Sequence, residues 1–362
     1  MKRLRTLHGP LPLPAFLPDA TKGAVRALGA GDVEECGIAG LMVNTLHLSE
    51  EPGVSVIEKL GGIHRFMNWD RTIASDSGGF QIFSLISQAS NMGRVSRDGF
   101  TYRLGKSRKS RKLTPDACIR KQLRMGSDIL FCLDHCTHPG AGYADHRESV
   151  ENTVRWARNC KDTFEELLKT RPETGSNTRP LLFAVVQGGE HRELRKACAD
   201  QLLEIGFDGF GYGGWPIDSG GGLLDSVVEM TELIPWEYPK HGLGIGKPEN
   251  LVKASHAGYN MFDCVLPTRD ARHGRLYAFG SSPDPLSLES AEFYRTLYIE
   301  DERYTRDAGP LDATCDCACC AGYSRAYLRH LFRTRDALAQ QLATIHNLRF
   351  YSRLMGLLRP NP

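Results

Sequence analysis

Eight short apolar runs recur along the chain, and each is followed by a stretch long enough for a helix or an extended connection. This repetition constrains the fold more than any other feature of the sequence. The runs are PAFLPDAT, GLMVNT, TIASDSGG, DILFCLDHC, LLFAVVQGG, GFGYGG, GLGIG and MFDCVLPTR. Their length and their apolar character are typical of buried parallel strands.

Several connections between these runs carry the signals of amphipathic helices. TPDACIRKQLRMGS has Thr114 as a capping residue, Pro115 at the first helical position and Gly126 just past the end. HRESVENTVRWARNCKDTFEELLKT places apolar residues at near-helical spacing, and KPENLVKASHAG opens with proline and closes with glycine. Strands alternating with helices predict an α/β fold, a (β/α)8 TIM barrel. A doubly wound open sheet is the alternative, but no G-x-G-x-x-G follows the first run.

The composition is that of an ordinary globular protein. The chain has 362 residues, of which 41% are hydrophobic and 24% charged, and its net charge is only +2. Prolines interrupt the basic N-terminus before any apolar stretch reaches the length of a signal peptide or a membrane span. Most of the 11 cysteines stand singly in apolar segments, as in a reducing compartment. We therefore expect a cytoplasmic protein without membrane contact.

The segment CDCACC breaks this pattern of single cysteines. Cys315, Cys317 and Cys320 have the C-x-C-x2-C spacing that wraps a loop around one tetrahedral zinc ion. A fourth ligand must come from elsewhere, and His330 and His346 both qualify on the helical stretch 324–354. Chance clustering is the alternative interpretation. We predict a structural zinc ion in a subdomain of residues 299–362, following a barrel domain of residues 1–298.

Polar residues stand where the apolar runs end. Barrel enzymes carry their chemistry at the carboxyl ends of the strands. A single aspartate there is more often a loop cap, but three at equivalent positions indicate an active site. The candidates from the third, fourth, fifth, sixth and eighth runs are Asp76, Asp134, Gln187, Gly213 with Gly214, and Asp263.

The residue types narrow the chemistry. No H-x-H follows the first run, which disfavours a barrel metallohydrolase, and a metal site at His135, Cys136 and His138 lacks further ligands. Carboxylates without a metal suit glycosyl transfer, in which one attacks the anomeric carbon and another moves protons. Two local basic segments favour a polyanionic substrate: RLGKSRKSRKLT, and PTRDARHGR beside Asp263.

Seven motifs and the cysteine cluster together resemble the tRNA-guanine transglycosylases, in order and across nearly the whole chain. The motifs are SDSGGFQIFSL, LDHCT, VVQGG, FDGFGYGG, LGIGKPENLV, MFDCVLPTRDARHG and TIHNL. The resemblance implies a (β/α)8 barrel with a zinc subdomain. It also implies a pentosyltransferase of queuosine biosynthesis, which exchanges guanine at the wobble position of G-U-N tRNAs for a 7-deazaguanine such as preQ1 or queuine.

The same resemblance implies a role for each candidate. Asp263 matches the nucleophile and Asp76 the general acid/base. The base would be bound by Asp134, Gln187, Gly213, Gly214, Trp215 and Cys136, the tRNA backbone by Arg269 and Arg272, and the zinc by Cys315, Cys317, Cys320 and His346.

The chain also departs from the family pattern. Trp215-Pro216-Ile217-Asp218-Ser219 stands where bacterial members have LAVGE, and His135 stands where an acidic residue is common. These positions are expected to line the pocket around the 7-substituent, so the sequence leaves the identity of the incoming base open. No archaeal-type RNA-binding extension follows Pro362, which favours the bacterial architecture and a homodimer. The alternatives are a relative that modifies DNA and a non-catalytic subunit that binds RNA or a partner.

Overall fold

A computed structural model describes residues 2–104, 109–170, 179–280, 284, 288, 290 and 292–359. The strands are β1 (Arg3–Thr6), β2 (Gly9–Pro12), β3 (Ala15–Pro18), β4 (Gly40–Asn44), β5 (Thr72–Asp76), β6 (Gly93–Ser96), β7 (Gly99–Tyr102), β8 (Arg111–Leu113), β9 (Ile129–Phe131), β10 (Leu181–Val186), β11 (Gly209–Tyr212), β12 (Lys240–Leu243), β13 (Met261–Cys264), β14 (Arg275–Phe279) and β15 (Tyr294–Tyr298). The helices are α1 (Ala30–Glu35), α2 (Thr45–Glu50), α3 (Val54–Lys59), α4 (Ile63–Met67), α5 (Gly79–Gln88), α6 (Pro115–Met125), α7 (Tyr143–Lys169), α8 (Arg192–Ile205), α9 (Asp225–Leu233), α10 (Pro248–Ala257), α11 (Leu266–Arg272), α12 (Ala318–Gly322), α13 (Arg325–Thr334) and α14 (Ala337–Leu358), with short 3-10 turns at Ser90–Met92 and Glu302–Tyr304.

One sheet of eight parallel strands forms the centre of the molecule. Its order is β3-β13-β12-β11-β10-β9-β5-β4, and each of the eight apolar runs contributes one strand. The two end strands also meet, because Asp19 after β3 bridges to Met42 of β4 and the Ala20 amide donates to the Met42 carbonyl at 2.7 Å. The sheet therefore closes on itself. The (β/α)8 barrel is confirmed, and the doubly wound alternative is wrong.

The β1–β2 hairpin covers the amino-terminal end of the barrel. Leu4 and Leu11 pack with inward side chains such as Ile129 and Phe183. Asp128 ties the hairpin down, because its carboxylate accepts hydrogen bonds from the backbone amide and ring of His8, at 2.9 Å each, and from the ring of His64 at 2.9 Å. The hairpin does not cover the opposite end of the barrel, where the strands finish, and a functional site can lie there.

The helix signals read from the sequence are confirmed with one correction. Helix α6 begins after Thr114, whose Oγ1 accepts from the Ala117 amide, and it ends at Gly126 with φ +83°. The stretch 324–354 is not one helix. Arg335 adopts a left-handed conformation with φ +58°, and Asp336 caps a new helix by accepting from the Leu338 amide at 2.8 Å. Helix α14 therefore folds back instead of continuing α13.

Helix α14 lies against the barrel. The Tyr351 hydroxyl donates to the Gly246 carbonyl at 2.6 Å, and the Asn347 amide donates to the Pro267 carbonyl at 3.0 Å. Gly246 lies in the loop after β12, and Pro267 lies in the first turn of α11, which follows β13. The last long helix thus supports the end of the barrel that carries the candidate residues, while the division at residue 298 stays a prediction.

A small antiparallel sheet, β6-β7-β8, is inserted between α5 and α6. It carries part of the first basic segment. Arg111 pairs with Glu50, whereas Lys106 and Arg108 lie outside the described residues. Across the part of the chain that the structure describes, no helix combines the length and apolar character needed to cross a bilayer.

Candidate active site and metal centre

A cavity of about 480 Å³ opens at the carboxyl ends of the barrel strands. Its volume lies in the range of about 300–1,000 Å³ that is typical of small-ligand sites. The sequence candidates that line it are Asp76, Asp134, Cys136, Gly213, Gly214, Trp215 and Asp263. The barrel therefore brings together three carboxylates that lie up to 187 positions apart in the sequence.

Asp76 ends β5 beside Asn44, which ends the neighbouring strand β4. The Asn44 Nδ2 donates to Asp76 Oδ2 at 2.7 Å, and the Asn44 Oδ1 accepts from the His47 amide, which fixes the direction of the donor. Burial, together with the nearby charges of Asp134 and Asp263, raises the pKa of the Asp76 carboxyl to about 7. A carboxyl group with this pKa exchanges a proton near neutral pH, as general acid/base catalysis requires.

The raised pKa of Asp76 predicts a pH-dependent gain in stability for Asp76→Asn. The folded protein holds a proton that the unfolded chain releases above about pH 4, so Asp76 lowers stability progressively as the pH rises from about 4 to 7. Asp76→Asn should increase the free energy of unfolding by about 2–4 kcal/mol at pH 8, and by less as the pH falls toward 4. Urea unfolding at both ends of this range measures it. The exposed Asp162→Asn is the control, and an equal gain at all pH values would contradict the prediction.

Asp134 follows β9 and is held by Gln187, which follows β10. The Gln187 Nε2 donates to Asp134 Oδ2 at 2.7 Å, and burial raises the pKa of the Asp134 carboxyl to about 6. Gln187 is buried behind Asp134 and does not line the cavity. Gly213 makes room for it, because a Cβ at that position would lie 2.7 Å from Gln187 Cδ.

Arg195 of α8 contacts the turns after β10 and β11, although the sequence did not single it out. Its guanidinium is buried and donates to the carbonyls of Val186 at 2.7 Å, Gly189 at 2.6 Å and Gly213 at 3.3 Å. It also lies 4.2 Å from the ring centroid of Tyr212. Arg195 therefore links the turn after β10 to the turn after β11.

Phe80 and Trp215 form one rim of the cavity, with ring centroids 5.6 Å apart in an edge-to-face arrangement. The Trp215 Nε1 donates to the Thr137 carbonyl at 3.0 Å, which joins the loop after β11 to the loop after β9. Pro216 and Ile217 continue the wall. Phe80 was missed at the level of sequence, although it lies in the DSGGF motif beside Asp76.

His135 does not line the cavity, which corrects the expectation from the sequence. Its ring is buried near Trp156, and Nδ1 lies 3.3 Å from Asn152 Nδ2. Burial lowers the pKa of His135 to about 4. Within the described residues, His135, Cys136 and His138 form no group with metal-ligand spacing, so a metal site there gains no support.

Asp263 lies in β13, and the short helix α11 that follows carries Arg269 and Arg272. Asp263 Oδ1 is 2.8 Å from His241 Nε2, a neighbour that the sequence did not single out. The Arg269 side chain is 54% exposed, and Arg272 donates to the Thr268 carbonyl at 2.8 Å. Burial and the neighbouring Arg26 lower the pKa of Arg272. A cationic surface therefore lies beside Asp263.

The cysteine cluster closes around His346. The ligand atoms of Cys315, Cys317, Cys320 and His346 all lie within 4.8 Å of one another. His346 Nδ1 is 3.2 Å from Cys320 Sγ and 3.7 Å from Cys317 Sγ, whereas its Nε2 donates to the Tyr277 carbonyl at 2.7 Å. This second hydrogen bond leaves the Nδ1 lone pair for a metal. The structure thus selects His346 over His330.

Comparison with known proteins decides the family. A family model described as queuine tRNA-ribosyltransferase matches residues 1–361. The chain belongs to the queuine tRNA-ribosyltransferase family. The chain is similar to the protein named queuine tRNA-ribosyltransferase from Psychrobacter sp. (strain PRwf-1), with 39% identity over 97% of this chain and 86% of that protein. The protein of the same name from Caldanaerobacter subterraneus subsp. tengcongensis is 37% identical over 98% of this chain and 88% of that protein. The one from Koribacter versatilis is 38% identical over 99% of this chain and 89% of that protein.

Membership in the queuine tRNA-ribosyltransferase family agrees with the resemblance found in the motifs, and it covers both the barrel and the cysteine cluster. Enzymes of this family are pentosyltransferases that act on tRNA. The reaction of this family takes place at a ribose carbon, and the cavity described above is the candidate site for that reaction.

Proposed function

We propose that this chain is a tRNA-guanine transglycosylase. It exchanges guanine at the wobble position of G-U-N tRNAs for a 7-deazaguanine in queuosine biosynthesis, in the cytoplasm. The observation that carries the proposal is the meeting of Asp76, Asp134 and Asp263 around one cavity in a chain of this family. The three carboxylates supply the three functions that base exchange needs, which are a nucleophile, a proton carrier and a base-recognition group.

In the first displacement, a flipped-out nucleotide places its ribose over Asp263. A carboxylate oxygen of Asp263 attacks C1′, the C1′–N9 bond breaks, and its electron pair leaves with guanine. Asp76 delivers a proton to N9, which is supported by the pKa of about 7 that burial and the neighbouring carboxylates produce. The product is a covalent glycosyl-enzyme.

In the second displacement, N9 of the incoming 7-deazaguanine attacks the same carbon from the opposite side. Asp76, now ionised, accepts the N9 proton, and the electron pair of the C1′–Oδ bond returns to Asp263. Two inversions give net retention at C1′, as in retaining glycosidases.

Base recognition is assigned to the residues around Asp134. A carboxylate complements two adjacent donors, the N1–H and the exocyclic amine of a guanine-like base. The hydrogen bond from Gln187 holds Asp134 in place, and the Gly214 amide is assigned to O6. The Phe80 ring offers a flat apolar surface to the purine. Cys136 and Gly213 complete the wall.

The tRNA backbone is assigned to Arg269 and Arg272, because phosphate contacts position a target nucleotide without reading its sequence. Both arginines lie on the helix that follows the nucleophile. The DNA-modifying alternative would use the same surface.

Structural zinc is assigned to Cys315, Cys317, Cys320 and His346. Three thiolates and one imidazole fill a tetrahedral site completely, and the second hydrogen bond of His346 orients the ring. The ion would brace the loop 315–320 against α14 and the β14–β15 hairpin.

A homodimer is proposed on a separate observation. The exposed rings of Tyr323 and Tyr327 stack 5.5 Å apart at the edge of the cysteine cluster, and His330 continues the row at 6.4 Å. Stacked aromatic side chains on a surface are typical of protein interfaces. One subunit of such a dimer would act on one tRNA at a time.

Incorporation of labelled guanine into an unmodified tRNA transcript with a G-U-N anticodon tests the proposed function. Label should enter this tRNA and stay absent from a transcript in which the wobble guanine is replaced by adenine. Label in duplex DNA instead would establish the DNA-modifying alternative. Tight tRNA binding without exchange would establish the non-catalytic one.

The Trp215–Pro216 peptide predicts which incoming base is used best. In the family, this peptide lies against the 7-substituent and presents either its C=O or its N–H. Pro216 has no N–H, so only the Trp215 carbonyl remains. The Pro216 carbonyl is already engaged with the Leu224 amide at 3.1 Å. An amine-bearing base, such as preQ1 or queuine, donates to the Trp215 carbonyl, whereas the nitrile of 7-cyano-7-deazaguanine faces it as a second acceptor.

We expect kcat/KM for the amine-bearing base to exceed that for the nitrile by at least about tenfold, since an unpaired buried acceptor costs about 1–3 kcal/mol. Competition between the two bases in tRNA exchange measures the ratio. Pro216→Ala restores the N–H and should lower the ratio of the two kcat/KM values. Equal or better use of the nitrile base by the unaltered enzyme would show that this carbonyl does not read the substituent.

A further inference from the structure

His241 is a buried histidine in contact with the carboxylate of Asp263. It lies in β12 with no exposed surface, and its Nε2 is 2.8 Å from Asp263 Oδ1. Strands β12 and β13 are paired so that His241 lies opposite Met261. Asp263 is two residues further along, so both side chains point to the same face of the sheet. The edge-to-face contact with Phe131, at 5.1 Å between centroids, packs the ring.

The hydrogen-bonding pattern defines the role of each ring nitrogen. The carboxylate of Asp263 only accepts, so Nε2 carries the hydrogen and donates it to Oδ1. Nδ1 is buried and has no partner among the described residues, which agrees with a neutral ring. The Gly244 amide also points to Oδ1, at 3.4 Å. Both donors thus engage one oxygen, and no described residue donates to Oδ2.

We propose that His241 is a positioning residue for Asp263, which holds Oδ1 and presents Oδ2 to the ribose. This inference rests on the proposed function, in which Asp263 is the nucleophile. When Oδ2 bonds to C1′ and the C1′–N9 bond breaks, Oδ1 becomes the carbonyl oxygen of an ester. When the incoming base displaces Asp263, the electron pair of the C1′–Oδ2 bond returns and Oδ1 recovers its share of the negative charge.

The hydrogen bond from His241 therefore changes strength during the reaction. A hydrogen bond to a carboxylate is roughly twice as strong as one to a neutral acceptor such as an ester carbonyl. His241 consequently stabilises free Asp263 more than it stabilises the glycosyl-enzyme. Removing the donor should shift the equilibrium toward the covalent adduct, even where the exchange rate falls.

The experiment titrates the adduct with guanine. Enzyme and tRNA are incubated at fixed concentrations with increasing guanine, and the fraction of covalent enzyme–tRNA adduct is read on a denaturing gel. In His241→Phe, which keeps a buried aromatic ring, the guanine concentration that discharges half of the adduct should rise about tenfold. In His241→Gln, which keeps a donor near the position of Nε2, this guanine concentration should lie close to that of the unaltered enzyme.

The variants separate positioning from structural support. His241→Leu replaces the Phe variant if that protein does not fold, and thermal unfolding is measured for all three. A lower melting temperature with an unchanged half-discharge concentration would overturn the inference, as would equal shifts in the Phe and Gln variants. Failure of the proposed function looks different, because the unaltered enzyme would then form no adduct, or Asp263→Asn would still form one.

Discussion

Asp263→Asn is expected to abolish guanine exchange and the denaturation-resistant enzyme–tRNA adduct while leaving tRNA binding intact. An amide oxygen carries no negative charge and does not form a stable bond to C1′, so the rate should fall by more than about 10⁴-fold. The substitution conserves shape, and His241 retains an acceptor at the Oδ1 position. The fold and the cationic surface of Arg269 and Arg272 therefore stay as they are.

Three measurements check this prediction on the same protein preparation: labelled-guanine exchange, adduct on a denaturing gel, and tRNA affinity by filter binding. Asp76→Asn is the matched comparison, because it removes a second carboxylate from the same cavity without removing the assigned nucleophile. If Asp76→Asn abolished the adduct while Asp263→Asn still formed it, the two roles would be exchanged.

Cys317→Ser is expected to lose both bound zinc and a large part of the stability of the C-terminal region. Serine is not ionised at neutral pH and is a poor zinc ligand, so the tetrahedral set is broken. The cluster holds the loop 315–320 against His346 of α14, and metal-binding energy in such a site is part of the folding energy. We expect a loss of at least about 3 kcal/mol in the free energy of unfolding.

Metal analysis of the purified protein should give about one zinc per chain before the substitution and far less after it. Cys319→Ser is the matched control. Cys319 is buried and lies between Cys317 and Cys320 in the sequence, but it is not part of the cluster. It should keep the metal. Full zinc retention by Cys317→Ser, or equal metal loss in both variants, would contradict the assignment of four ligands.

Much of the barrel is predictable because its signals are local. An apolar run of strand length is visible without knowing its neighbours, and all eight runs became barrel strands. The cap, proline and glycine of α6 act within a few residues of one another, so they appear in the sequence as they do in the structure. The break at Arg335 was missed, because the apolar spacing continues from α13 into α14 and hides a change of direction.

Placement of the strand-end residues is also predictable, since parallel strands in a barrel bring their carboxyl ends to one side. This rule predicts that Asp76, Asp134 and Asp263 share one end of the barrel, and all three line the same cavity. It does not say which way a side chain turns there. Gln187 lies behind Asp134, and His135 turns away toward Asn152, because packing between strands and helices decides each rotamer.

The sequence by itself therefore determined the barrel, the side of the barrel that carries the carboxylates, and three members of the cluster that could hold a metal ion, since these follow from short-range pattern and strand polarity. The spacing of residues left His330 and His346 open, the family resemblance favoured His346, and the tertiary structure places His346 in the cluster. Tertiary structure alone revealed the pairs Asn44–Asp76 and His241–Asp263. Each of these contacts joins residues from different strands, helices or loops. Hydrogen bonds of that kind require the spacing between elements to be correct to within a few tenths of an ångström, and no periodicity along one chain encodes that spacing.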